Sequence, residues 1–170
     1  MGLPEWTDDG LLPPGCWRAT LTDVHDRLVV DTQYQPTRQV VFHGLQAYLG
    51  QIREFVSSGV VWLDGPFVTR DGRPSGPALS LVVFPHNLAE IDLLTPERYH
   101  KLTTMFTMRD IIIGGTGQTT YIDRLEPIGT HIAAHLADDN DAHIWSNWCS
   151  RVDGGSSNPV GNKGFVEVEL

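Results

Sequence analysis

The chain is short of positive charge: 12 Lys and Arg stand against 21 Asp and Glu, a formal net charge of −9 over 170 residues. That deficit excludes gripping nucleic acid or anionic lipid through bulk charge, because counterion release needs a basic face. Long apolar runs are lacking too. The longest hold four residues, Val60-Val61-Trp62-Leu63 and Leu81-Val82-Val83-Phe84, whereas a membrane-spanning helix needs about 20, so a soluble protein with no membrane partner is expected. Cysteine is scarce. Cys16 and Cys149 make no CxxC and no disulfide framework, which predicts a reduced, cytoplasmic setting. The opening MGLPEWTDDG has neither the basic start nor the apolar stretch of a secretory signal. No repeat, low-complexity linker or charge block divides the chain, and its hydrophobic content of 41% suffices for one core. One domain over residues 1–170 is the expectation.

What is present is a set of periodic segments punctuated by Gly and Pro. Residues 1–36 are turn-rich, with an extended entry at Leu11-Leu12 closed by a Pro-Gly turn and a short helix over 20–28 capped by Thr20 or Thr22. From Thr37 to Val56, apolar residues at Val41, Leu45, Tyr48, Leu49, Ile52 and Phe55-Val56 recur every three or four positions and predict a helix with one buried stripe. Gly59 reads as its C-cap. Strands are predicted over 60–63, 79–84 and 119–125, and 132–136 is ambiguous. Thr95-Pro96 opens a helix running to about Met108, and 139–151 reads as another. Residues 163–170 close the chain, alternating apolar and acidic as a half-exposed strand does. The fold class is mixed α/β, a mixed sheet flanked by helices rather than a regularly alternating doubly wound one.

The stretch from Thr37 through Phe84 places a helix, a buried strand, Asp64-Gly65-Pro66, a loop and a second buried strand in succession. That order resembles the core of the nucleotidyltransferase fold. The whole chain resembles an uncharacterised bacterial family of nucleotidyltransferase-like proteins through "LPPGCWRAT", "WLDGPFVT" and "KGFVEVEL". The resemblance implies a Gly-Ser pair after the first core strand and an Asp-x-Asp about a dozen residues later on the second. Two Asp with one residue between them share a strand face and hold the hard Mg²⁺ ions that bridge attacking and leaving oxygens. Here the Ser position is Pro66, with neither hydroxyl nor N–H, and the Asp-x-Asp positions are Ala78 and Ser80. Asp123 reads as a remnant carboxylate, alone a poor metal site. Parts that act as a unit fail together. The expectation is a catalytically degenerate domain without metal or cofactor.

Other signals are weaker. Glu90-Ile91-Asp92 spells the acidic pattern after Pro85-His86-Asn87 has ended the strand, and reads as the approach to the next helix. Asp64 and Asp71 read as turn acids. Gly114-Gly115-Thr116-Gly117 lacks the completing residues of a P-loop or dinucleotide fingerprint. His131 and His135 would share a helix face but lack a third ligand, so a structural or surface role is expected. Cys16 and Cys149 read as small thiols rather than nucleophiles, and Trp145 with Trp148 as core. Should nucleotide still bind, Gly65, Thr69, Arg70 and Arg73 are the residues placed to meet it.

By the resemblance, the expected role is a binding or regulatory module with a protein partner, toxin neutralisation in an antitoxin-like or phage-defence pair being one form. The alternatives are an active transferase with relocated carboxylates (Asp123 with Asp64, Glu90 or Asp92), using Mg²⁺ and a nucleoside triphosphate, and a sensor that binds nucleotide without turning it over.

Overall fold

Among the residues described by the computed structural model, 2–72, 78–107, 131–152 and 162–170, five strands form one mixed sheet. Strand β1 is Gly15–Arg18, β2 Gly59–Asp64, β3 Leu79–Pro85, β4 Ile132–Leu136 and β5 Gly164–Glu169. Their spatial order is β1-β5-β2-β3-β4. The central β5–β2 and β2–β3 pairs are antiparallel, and the outer β1–β5 and β3–β4 pairs are parallel. The expected mixed α/β class is therefore present. β1 lies in the segment read as turns, and β4 resolves the ambiguous stretch as strand. The strand expected over 119–125 lies outside the described residues.

Helix α1, Leu21–His25, starts with a capping box: Asp23 N–H donates to Thr20 Oγ1 at 3.1 Å, and Thr20 N–H returns to Asp23 Oδ2 at 2.9 Å. It continues into a π-helical turn, Asp26–Val30. Helix α2, Gln35–Ile52, begins two residues ahead of the expected Thr37 and stops four short of Val56. Gly59 does not cap it. That glycine opens β2 instead, pressed so close to the Phe84 carbonyl that a Cβ has no room. Helices α3, Ala89–Asp92, and α4, Pro96–Thr103, follow β3, the second capped by Thr95. A 3-10 turn, Asp139–Asp141, leads into α5, Ala142–Cys149.

Strand alternation divides the apolar residues between two sheet faces. Val61, Leu63, Leu79, Leu81, Val83, Ile132, Ala134, Val166 and Val168 belong to one cluster with the α1–α2 stripe of Val24, Leu28, Val41, Leu45, Leu49 and Ile52. Val82, Phe84 and Phe165 belong to the other, with Val60, Trp62 and the α5 residues Trp145, Trp148 and Cys149 packed on them. Burying each large aliphatic or aromatic side chain contributes roughly 1.5–3 kcal/mol. At one end of the second face the apolar packing gives way to charge.

Candidate functional site

The β2–β3 register sets Asp64 opposite Ser80. Alternation carries both to the second face, in line with Trp62 and Val82. β2 ends there because Gly65 takes φ 93° and ψ −172°, a conformation side-chain-bearing residues rarely adopt, with the backbone of Ala78 and Ser80 close against it. One 3-10 turn, Pro66–Val68, follows, and Phe67 N–H donates to the Ala78 carbonyl at 2.8 Å.

The segment after Gly65 is held from beneath by Arg38 of α2, whose side chain is fully buried. Its guanidinium donates to the carbonyls of Leu28 at 2.9 Å, Phe67 at 2.7 Å and Gly72 at 2.8 Å, and also to that of Thr69. It lies 5.7 Å from the Phe67 ring centroid. Burial lowers its pKa to about 10, against the opposing charge of Asp71, so it stays charged at neutral pH.

Across the cleft, Lys163 arrives from the start of β5 and donates through Nζ to Asp64 Oδ1. Both residues are nine-tenths buried, Asp64 at 7% exposure and Lys163 at 6%. The lysine backbone is tied on each side: its N–H donates to Ser150 O at 2.9 Å, and Gly164 N–H donates to Leu12 O at 2.9 Å. Asn162 bridges Arg151. At Gly164 a Cβ would collide with the Pro13 carbonyl and stand 2.7 Å from Trp17 Nε1, so glycine is required. Taking two charges out of water costs several kcal/mol each, and a close pair offsets that cost.

Asp64, Lys163, Ser80, Thr69, Trp148 and Arg151, with Leu11, Gly65, Pro66 and Val152, line a cleft of about 530 Å³. Trp148 is half-buried and held edge-on by Trp145, with ring centroids 5.7 Å apart, and 6.0 Å from His135. Arg151 is exposed. Among the described residues, one carboxylate against two cations leaves the lining net positive in an acidic chain. Among the described residues, no group of three or more His, Cys, Asp or Glu is placed to hold a metal ion.

Of the expected residues, Gly65, Pro66, Thr69 and Ser80 line this cleft, and Ala78 lies fully buried beside it. Arg70 does not line it. Its guanidinium pairs with Asp71 at 3.1 Å, and its N–H donates to Gly10 O. Arg73, Asp123 and Gly114 through Gly117 lie outside the described residues. Asp64 corrects the reading as a turn acid, since it is the last residue of β2 and ion-paired in the interior. Glu90 is committed elsewhere: its carboxylate accepts from Ser57 N–H at 3.1 Å and Ser57 Oγ at 2.7 Å, which lowers its pKa. Asp92 is exposed at the end of α3.

His131 and His135 flank and occupy β4, not a helix. Four residues along a strand span about 13 Å, too far to share one metal ion. Cys149 is buried, and burial raises its pKa. Cys16 is exposed as a residue, yet its thiol lies 3.8 Å from Glu167 Oε2. Desolvation and that carboxylate push its pKa to about 12, opposite to what a nucleophile needs. Trp145 and Trp148 pack on the second-face core, as expected.

Sequence reasoning missed Arg38, Arg151 and Lys163. Arg38 sits three residues before Val41, in line with the buried stripe, and that position was a readable signal. Lys163 had none beyond preceding an alternating strand.

A family model described as "Family of unknown function (DUF6932)" matches residues 4–169. Neither a curated protein nor a solved structure matches the chain.

Proposed function

The chain belongs to that family of unknown function, which assigns it no activity, and from the cleft we propose that it is a catalytically silent binding module of nucleotidyltransferase-like type. One observation carries the reading. The carboxylate of Asp64, at the end of the first core strand, is taken by the buried ammonium of Lys163. Ala78 and Ser80, on the neighbouring strand, add no second carboxylate. Metal-assisted transfer needs carboxylate oxygens around divalent ions that contact both attacking and leaving groups. An ammonium neutralises Asp64 but has no open coordination position, so it satisfies the charge without supplying the chemistry. Pro66 adds to this, since it offers neither hydroxyl nor N–H where a phosphate would be held.

The excess of 21 acids over 12 bases supports a basic protein as the module's client, neutralisation of a toxin being one form. The test is incubation of the purified chain with each of the four labelled nucleoside triphosphates in Mg²⁺ or Mn²⁺. No transfer to protein or RNA is expected. Transfer that Asp64→Asn or Asp123→Ala abolishes would establish the active-enzyme alternative and remove this reading.

A further inference from the structure

We infer that the Asp64–Lys163 cleft binds a small aromatic anion without a metal ion, its ring on Trp148 and its anionic oxygens on Lys163 and Arg151. The inference deepens the metal-free reading above and rests on it. Lys163 carries the argument. An ammonium has three N–H donors, Asp64 accepts one, and Lys163 lines the cleft. Asp64 is the positioning residue, keeping a charged lysine at one place in a nine-tenths-buried setting. The backbone ties on both sides of Lys163 keep it from following a ligand outward. A donor fixed before the ligand arrives loses little entropy on binding.

Charge and size select the ligand. Among the described residues, Lys163 and Arg151 against Asp64 leave one positive charge in excess, which suits an anionic oxygen group and disfavours a free cation. The cavity of about 530 Å³ lies within the roughly 300–1,000 Å³ of small-molecule clefts, so an inorganic oxyanion alone would leave most of it empty. Trp148 is the aromatic side chain in the described lining; the Trp145 and His135 rings pack edge-on against it, and its indole is the surface a planar group would meet. Ser80 and Thr69 also line the cleft, the Thr69 hydroxyl already donating to the Pro66 carbonyl at 2.9 Å. Phosphate esters and carboxylates both present such oxygens, and their shared chemistry is what the cleft recognises.

Calorimetric titration of the full chain in EDTA with adenosine monophosphate, phenylacetate and inorganic phosphate tests this. Because Lys163→Met endangers folding, the decisive variant is Arg151→Glu at an exposed position. The expected result is binding of adenosine monophosphate or phenylacetate, weakened about tenfold or more by Arg151→Glu. Binding of the first alone identifies a phosphate ester, and of the second alone a carboxylate. No binding by either, phosphate binding as tightly as both, or an unchanged affinity in Arg151→Glu overturns the inference. Those results, obtained while transferase activity stays absent, leave the silent-module reading standing. Binding that appears only when Mg²⁺ replaces EDTA overturns both.

Discussion

Replacing Lys163 by Met should be among the most damaging single changes outside the apolar core. Lys163 is 6% exposed and Asp64 7%, so the variant takes an ammonium away from a buried carboxylate. At an effective dielectric near 20, two unit charges about 4 Å apart attract by about 4 kcal/mol. Removing one partner of a buried pair costs roughly 3–5 kcal/mol, against a total stability of about 5–15 kcal/mol. For a chain of this size each kcal/mol moves the melting temperature by about 2–4 °C, so a fall of roughly 6–20 °C is expected. The second arm is Lys163→Met with Asp64→Leu, which replaces both charges by apolar groups. Urea unfolding of the four species closes a double-mutant cycle. The double variant should recover about 2 kcal/mol or more relative to Lys163→Met alone. A loss within about 1 kcal/mol for the single variant would place the pair with solvated surface bridges. Strict additivity would show that the two side chains do not depend on each other. Either outcome refutes the account of the site.

Arg38→Met should destabilise by about 3 kcal/mol or more, because buried carbonyls at Leu28 and Phe67 and partly buried ones at Thr69 and Gly72 lose their donor. Amide exchange should rise first at Phe67 and Val68; unaltered protection there would sink the pinning role. At pH 8, iodoacetamide should modify Cys16 roughly a thousandfold more slowly than an ordinary thiol, since a pKa of about 12 leaves that much less thiolate than the usual value of 9.0. Glu167→Gln should speed the reaction, and a native rate equal to free cysteine counts against the Glu167 contact. Asp23 is held below the usual carboxylate range by Thr20, backbone N–H first and hydroxyl second. Its folded-state pKa is depressed, so its stabilisation is present above the unfolded value and lost as pH falls through the folded one. The stability gap between native and Asp23→Asn should therefore close on acidification, and a gap independent of pH would contradict the cap.

The elements with strong local signals were legible in sequence. The α2 stripe from Val41 to Ile52 is a 3.6-residue pattern that needs no tertiary information. Thr95-Pro96 and Thr20 mark helix starts through backbone N–H groups that lack partners inside the helix. β1 was not legible, because Gly15–Arg18 is half Gly and charge and becomes a strand only through pairing with β5 at the far end of the chain. Gly59 misled for a related reason. Its lack of a side chain serves a close approach to Phe84, a neighbour that only the sheet brings near, and from the sequence this looks the same as a helix stop.

The site resisted sequence reading for the same physical reason, carried further. Asp64-Gly65-Pro66 has the composition of a turn, and local chemistry alone assigns its acid to the surface. What draws Asp64 inward is an ammonium 99 residues away, placed by ties to Ser150 and Leu12 from two further segments. An ion pair of that kind leaves no periodicity, since either partner alone would be expelled by its desolvation cost. The overall charge misdirects as well. The net −9 is a sum over the whole chain and argues against anions, yet the described lining of this cleft carries the opposite sign because two of only 12 basic residues converge on it. An acidic exterior with a positive cleft imposes an order on recognition. A basic partner is attracted at long range, whereas a small anion must enter against the field and be held by short contacts to Lys163 and Arg151. Raising salt should therefore weaken association with a basic protein, and it should weaken anion binding in the cleft through the exposed Arg151 more than through the buried Lys163.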